Sequence, residues 1–291
     1  MCRPPVIAAV AATVLMTSEA VTWAVAFLAA VLGWKTGPRI AWAIRAWPGH
    51  ESFHGDYLQC HACVGGRRRG CYNAGRTQDS LYAAFAALIA AASILAYGPG
   101  VRAVVSWLFA VSCLIIAVVD YRYYIIPDLL SVHGCWTGLA WHGAVALALR
   151  AEALASPPSF YVPVLDSLFG FLLGFGFLAM LSWLALFLLK KEGMGWGDVK
   201  LLGAMGAWMG WQAVIATIVL ASFAGSVVGV STILYRRLRY GTEYKPLAHM
   251  IPFGPYLCLG FLFVFYLGMD PLYRVMAAYQ AWVEARLGLP H

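Results

Sequence analysis

The sequence predicts an all-α protein, a polytopic membrane helix bundle, and three observations carry that prediction. Of its 291 residues, 62% are hydrophobic and 11% charged, against about 25% charged in an ordinary soluble domain. Mean hydropathy is +0.74. The apolar residues gather in long runs, and about 20 of them as helix cross a hydrocarbon core. So few charges cannot coat a soluble globule. The same figures exclude a secreted mini-protein, a disordered tail and a coiled coil.

About eight apolar segments follow along the chain: 5–32, 81–98, 101–119, 129–149, 162–189, 199–209, 211–235 and 252–269. In the first, Arg3 and Ser18-Glu19-Ala20 have the outline of a signal peptide and its cleavage site, but the apolar pattern resumes through Val21 to Trp34. Residues 1–32 are therefore expected as a retained first span, with Glu19 facing the bundle or an interface. Residues 33–80 break the pattern and form a loop that contains cysteines. Residues 81–291 are expected as the membrane domain that carries the chemistry. The run 199–209 is too short to cross upright at about 1.5 Å per residue, so it should pair with 211–235 across a turn at Gly210. Gly170-x-x-x-Gly174, Gly206-x-x-x-Gly210 and Gly225-x-x-x-Gly229 favour close helix approach.

The net charge of +7 does not imply a nucleic-acid partner. Basic residues sit in blocks such as Arg67-Arg68-Arg69 and Arg236-Arg237-Leu238-Arg239, with no stripe interleaved with aromatics. They read instead as orienting charges. With loop 33–80 in the cytoplasm, fifteen of the 20 Lys and Arg fall on that side, leaving Arg3, Arg102, Arg150, Arg274 and Arg286 on the other.

An aspartate is costly in an apolar span and invites a functional reading. Asp120 ends one apolar run, and Asp198 opens another after Gly193-Met-Gly-Trp-Gly. Both fall at cytoplasmic helix ends in this topology. Two facing carboxylates can hydrolyse a peptide bond by sharing one proton, the ionised member activating water and the protonated one polarising the carbonyl. Gly195 and Gly197 would let a substrate backbone approach. The plainer alternative is that each Asp caps a helix or pairs with Lys or Arg. Asp128 after Pro127 reads as a cap for 129–149, and Asp166 as a first-turn acid.

The stretch from Lys191 through Gly193-Met-Gly-Trp-Gly-Asp198 to Gly210 resembles the second active-site segment of bacterial type IV prepilin peptidases, a family of Gly-x-Gly-Asp membrane aspartic peptidases. Asp120 with Ile126-Pro127-Asp128 resembles their first, and Ile251-Pro-Phe-Gly-Pro-Tyr256 a third. The resemblance implies Asp120 and Asp198 as the catalytic pair, with Gly195, Gly197, Lys200 and Pro127 around them. It implies no cofactor for the peptidase step, prepilin or pseudopilin substrates in the bilayer, and a multi-pass protein of the inner membrane whose active site faces the cytoplasm. Many members then methylate the new N-terminus with S-adenosylmethionine. The alternatives are another Gly-x-Gly-Asp intramembrane protease and, in a different class, a transporter using the two acids. Pro246-Leu-Ala is not the Pro-Ala-Leu of presenilin-type proteases, and a transporter would call for broken helices near the midplane.

Cys60-His-Ala-Cys63 with Cys71 is a zinc-ligand pattern one thiolate short of a tetrahedral set, with His50, His54 or His61 as a fourth donor. Zinc ligation and a loop with spare thiols are the two readings it allows. Many family members carry two Cys-x-x-Cys pairs, of which only one stands here, and usually a Gly-Ser-Phe-Leu-Asn-Val segment, of which residues 37–48 keep only an echo; this weighs against methylation and leaves cleavage untouched. Cys2, Cys113, Cys135 and Cys258 read as buried small hydrophobes. His133 and His142 are expected to satisfy local hydrogen bonds.

Overall fold

A computed structural model describes residues 6–46, 76–158, 160–190, 194–240 and 252–287. Every regular element among them is a helix: α1 (Val6–Ala46), α2 (Arg76–Tyr97), α3 (Val101–Tyr123), α4 (Asp128–Arg150), α5 (Val164–Leu189), α6 (Trp196–Tyr240), α7 (Gly254–Leu267) and α8 (Asp270–Leu287). The chain divides into two compact units, Met1–Ile115 and Ile116–His291.

In the N-terminal unit, α1 packs along α2 through small residues. A methyl group on Gly33 would stand 2.6 Å from the Ala86 carbonyl oxygen, and one on Gly37 would collide with Ala83. Ala26, Ile94 and Ala103 form a buried apolar cluster there. Helix α1 does not end at residue 32, as the hydropathy pattern has it. It continues through Pro38 to Ala46, and the qualifying membrane window among the described residues is Glu19–Ile44. Lys35 and Arg39, counted above as loop charges, are thus exposed residues of the helix; their long stems let the charged heads reach the interface. Glu19 is exposed as well, at the first residue of that window.

In the C-terminal unit, α6 is the central element, packed against α4, α5 and α7. It is broken at Gly210, whose φ of 78° and ψ of 178° are not helical, so the expected turn is present. Gly170 and Gly174 of α5 lie against α6: a Cβ at Gly170 would stand 2.5 Å from the Gly206 carbonyl oxygen, and one at Gly174 2.5 Å from that of Leu202. Such contact brings backbones together where side chains would hold them apart.

The break has a cost that the neighbours meet. Around Gly210 the regular i to i−4 ladder is interrupted, and lipid offers nothing to the freed carbonyls. Ser167 Oγ donates to the Ala207 oxygen at 2.5 Å. His142 Nε2 lies 3.1 Å from the Trp208 oxygen, while its Nδ1 accepts from the Val162 N–H at 3.1 Å. An Nδ1 that accepts places the ring proton on Nε2, so His142 donates to Trp208. These bonds are tertiary, not the local ones expected. The Trp208 indole in turn donates to the Gly134 oxygen at 3.0 Å, tying α4 to α6.

Five described helices are long and apolar enough to cross a membrane, or six if the bent pair Gly254–Leu267 and Asp270–Glu284, at 93°, is one span. The expected eight segments reduce for three reasons. The runs 199–209 and 211–235 join in α6. Helix α4 carries polar residues, with Ser131 and His142 turned inward on its buried face. The last run stops at Gly268, and α8, too polar to stand out by hydropathy, follows it.

Candidate active site

Helix α3 brings Asp120 to its last turn, where the side chain is only 6% exposed. The helix then stops abruptly. Tyr124 takes a left-handed φ of 58° and donates its N–H to the Asp120 carbonyl at 2.8 Å. A non-glycine residue there costs about 1–2 kcal/mol. Three residues without regular structure, Ile125-Ile126-Pro127, then lead into α4. Pro127 is fully buried and stands at the N-cap position of α4.

Asp198 lies in the first turn of α6, 9% exposed, with its own N–H bonded to the Gly195 oxygen at 3.2 Å. A carboxylate suits a helix N-terminus electrostatically. The two aspartates are close enough for the charge of Asp120 to act on Asp198.

Ile126 joins them sterically. A Cβ on Gly197 would stand 2.8 Å from the Ile126 Cβ, and a Cβ on Gly254 3.2 Å from its Cδ1. The bareness of Gly197 is therefore used by the protein's own Ile126, not left open for a substrate backbone as expected. Gly195 is different: a Cβ there would meet only Asp198 Oδ2, at an ordinary 3.7 Å.

The two carboxyl groups are held unequally. Asp120 Oδ2 accepts the Gly254 N–H at 2.9 Å. Asp198 Oδ1 is buried and has no hydrogen-bond partner among the described residues. Buried oxygens of this kind are rare and call for an explanation.

Lys200 does not reach the pair. Its Nζ binds Asp128 in bidentate fashion, 2.8 Å from Oδ1 and 3.0 Å from Oδ2, joining the first turns of α6 and α4. Asp128 is accordingly an ion-pair partner inside the helix and not its cap, since Pro127 holds the N-cap position without a side-chain bond. Asp166 is the first-turn acid expected. Cys113, Cys135 and Cys258 are buried thiols. Cys60, Cys63 and Cys71, with the three histidines beside them, lie outside the described residues, as do Cys2 and Glu192.

Gly254 and Ile126 are participants to which the sequence reading, though it quotes both segments, gives no role. The segment Pro252-Phe-Gly-Pro255 was the available signal. A methyl group on Gly254 would stand 2.6 Å from Asp120 Oδ2, so only glycine leaves room for the carboxylate and the N–H together.

Two buried, adjacent carboxylates at helix ends of an all-α, multi-pass membrane chain define a membrane protein with a diacid centre. Within that class, the chain belongs to the type IV leader peptidase family, which matches residues 107–230. A relative from Aeromonas salmonicida, named prepilin leader peptidase/N-methyltransferase, is 34% identical over 194 residues, 67% of this chain and 60% of the relative. One of the same name from Pseudomonas aeruginosa is 30% identical over 222 residues, 76% of this chain and 67% of the relative. Another from Burkholderia pseudomallei is 28% identical over 242 residues, 82% and 68% respectively. The chain thus spans about 60% of the length of the first of these relatives. No solved structure matches it.

Proposed function

We propose that the chain is an aspartic endopeptidase that removes the leader peptide of prepilins or pseudopilins at the cytoplasmic face of a bacterial inner membrane. Asp120 and Asp198 form its catalytic pair. The observation that carries this reading is their joint burial, with Asp120 braced by the Gly254 N–H and Asp198 Oδ1 without a partner among the described residues. The family and the printed names of its relatives supply the substrate class.

The pair shares one proton. Its ionised member takes a proton from water, and the water oxygen bonds to the scissile carbonyl carbon while the protonated member donates to the carbonyl oxygen. When the tetrahedral intermediate collapses, the C–N bond breaks, the proton taken from water passes to the leaving nitrogen, and one hydroxyl proton returns to the carboxylate that had donated it. The unpartnered Oδ1 of Asp198 is positioned to meet a substrate oxygen or the attacking water. The broken helix that a transporter would need is present at Gly210, but Asp198 lies twelve residues away, about 18 Å along the helix. The hydrolytic reading is therefore the stronger.

Asp120→Asn and Asp198→Asn should each lower cleavage of a co-expressed prepilin by at least about 100-fold, since acid and base roles then fall to one carboxyl group. Both proteins should still accumulate in the membrane. Mass spectrometry of the prepilin N-terminus is the readout, and normal processing by either variant would sink the assignment.

Methylation of the new N-terminus, with S-adenosylmethionine as donor, belongs on this reading to residues 33–80, which include the end of α1 and the start of α2. Zinc held by Cys60, Cys63 and Cys71 would brace the segment between those helices. Cys60→Ser with Cys63→Ser should leave cleavage in place at a reduced level and lower methylation first, because serine is a poor zinc ligand. The same spectrum separates a retained leader, a free amine and a methylated amine. Equal methylation by wild type and double variant would move that activity elsewhere in the chain.

A further inference from the structure

We propose that the cavity between the second half of α6 and the first turn of α7 is a specificity subsite, which receives one side chain of the peptide beside the bond being cut. This rests on the peptidase reading above. The cavity has a volume of about 310 Å³ and is lined by Ser222, Gly225, Ser226, Pro252, Phe253 and Tyr256. That volume is at the low end of the range of about 300 to 1,000 Å³ for ligand sites, with room for one side chain and its neighbouring backbone.

The wall from α7 leads to the catalytic pair. Pro252 and Phe253 immediately precede Gly254, whose N–H is bonded to Asp120 Oδ2 at 2.9 Å. A peptide whose carbonyl sits at the aspartates therefore has this cavity beside it.

The lining has a chemistry that lipid does not explain. Ser222 and Ser226 are exposed and one turn apart, so they share one face of α6. Around them Val219, Phe223, Val227, Val228 and Val230 are the exposed apolar surface expected against acyl chains. Two hydroxyls opposite a tyrosine, in a cavity walled by Pro252 and Phe253, suit a peptide segment with polar backbone atoms and one side chain to place. Gly225 keeps the floor open, since a Cβ there would already touch the Tyr256 ring at 3.5 Å.

The test is made on the full chain in membranes, with a panel of prepilins in which each residue near the cut is changed in turn to Gly and to Trp. Ser226→Phe fills the cavity. It should lower kcat/KM by about 10- to 100-fold for large residues at one substrate position, the range that pocket size governs, with KM carrying the change. Glycine at that same position should bring the variant back to within about threefold of wild type, as coupled contacts require. Should Ser226→Phe fail to accumulate, Ser226→Thr and Ser222→Val fill the space in smaller steps and should show the same dependence, graded by size. A loss uniform across the panel, or no loss, overturns the proposal and leaves the groove to lipid. A wild-type enzyme that leaves every leader in place would instead overturn the peptidase reading beneath it.

Discussion

Both units of this protein use small residues for close helix packing, and the C-terminal unit adds a broken helix with polar side chains gathered round the break. In the N-terminal unit, Gly33 and Gly37 admit α2 at backbone distance, and the hydroxyls of Thr36 and Ser106 bond carbonyls of their own helices. In the C-terminal unit, Ser167, His142 and Trp208 reach across to carbonyls of other helices. The difference follows from helix continuity. An unbroken helix satisfies its own backbone in lipid, whereas α6, interrupted at Gly210, needs donors from its neighbours. A helix that starts or stops inside such a unit can also present a backbone N–H to a side chain, as Gly254 does to Asp120. The polar residues that repair the backbone and the acids that form the site thus have one origin: interrupted helices.

The sharpest way to break this comparison is to place the same methyl group in both units. Ala at Gly254 and Ala at Gly33 would each bring a Cβ to 2.6 Å, in one case from the Asp120 carboxylate and in the other from the Ala86 carbonyl. Gly254→Ala should lower prepilin cleavage by about 100-fold or more, because displacement of a catalytic group by an ångström costs on that order. Gly33→Ala should loosen the α1–α2 pair by about 1–3 kcal/mol, the usual range for overpacking, and leave cleavage within about threefold. Cleavage assays alongside thermal unfolding in detergent separate the two. Equal loss in both would show that the N-terminal unit also shapes the site.

A smaller effect is expected where the break in α6 is repaired. His142→Leu leaves the Trp208 carbonyl and the Val162 N–H without their partner, at a cost of about 1–3 kcal/mol for each buried group left unpaired. Ser167→Ala removes one such bond and should cost less. If unfolding temperatures fall for neither, the carbonyls around Gly210 find other partners and the account of the break is wrong.

The smallest effect belongs to the Lys200–Asp128 pair, whose side chains are 32% and 35% exposed. A pair this open is worth about 0–1 kcal/mol. Asp128→Asn and Lys200→Met should therefore lower cleavage by less than about tenfold, and the exchanged pair Asp128→Lys with Lys200→Asp should recover part of it. A loss in Asp128→Asn as large as in Asp120→Asn would place Asp128 in the chemistry.

The sequence by itself determined what depends on composition and local pattern. Low charge and long apolar runs decided an all-α membrane protein, and the isolation of Asp120 and Asp198 among apolar residues marked them out, because burying an acid is expensive enough to need a reason. The turn at Gly210 was legible too, since the run before it is too short to cross. Tertiary structure alone decided what depends on residues distant in the chain. The end of α1 could not be read from hydropathy, because Lys35 and Arg39 interrupt the apolar pattern while the helix continues past them to Ala46. The partners of His142 and Lys200, 66 and 72 residues away, carry no mark in the local sequence. Gly254 is the clearest case. Its value to Asp120 lies in a backbone N–H and a missing methyl group, neither of which has a side chain to announce it, and both matter only once α7 has been brought against the end of α3.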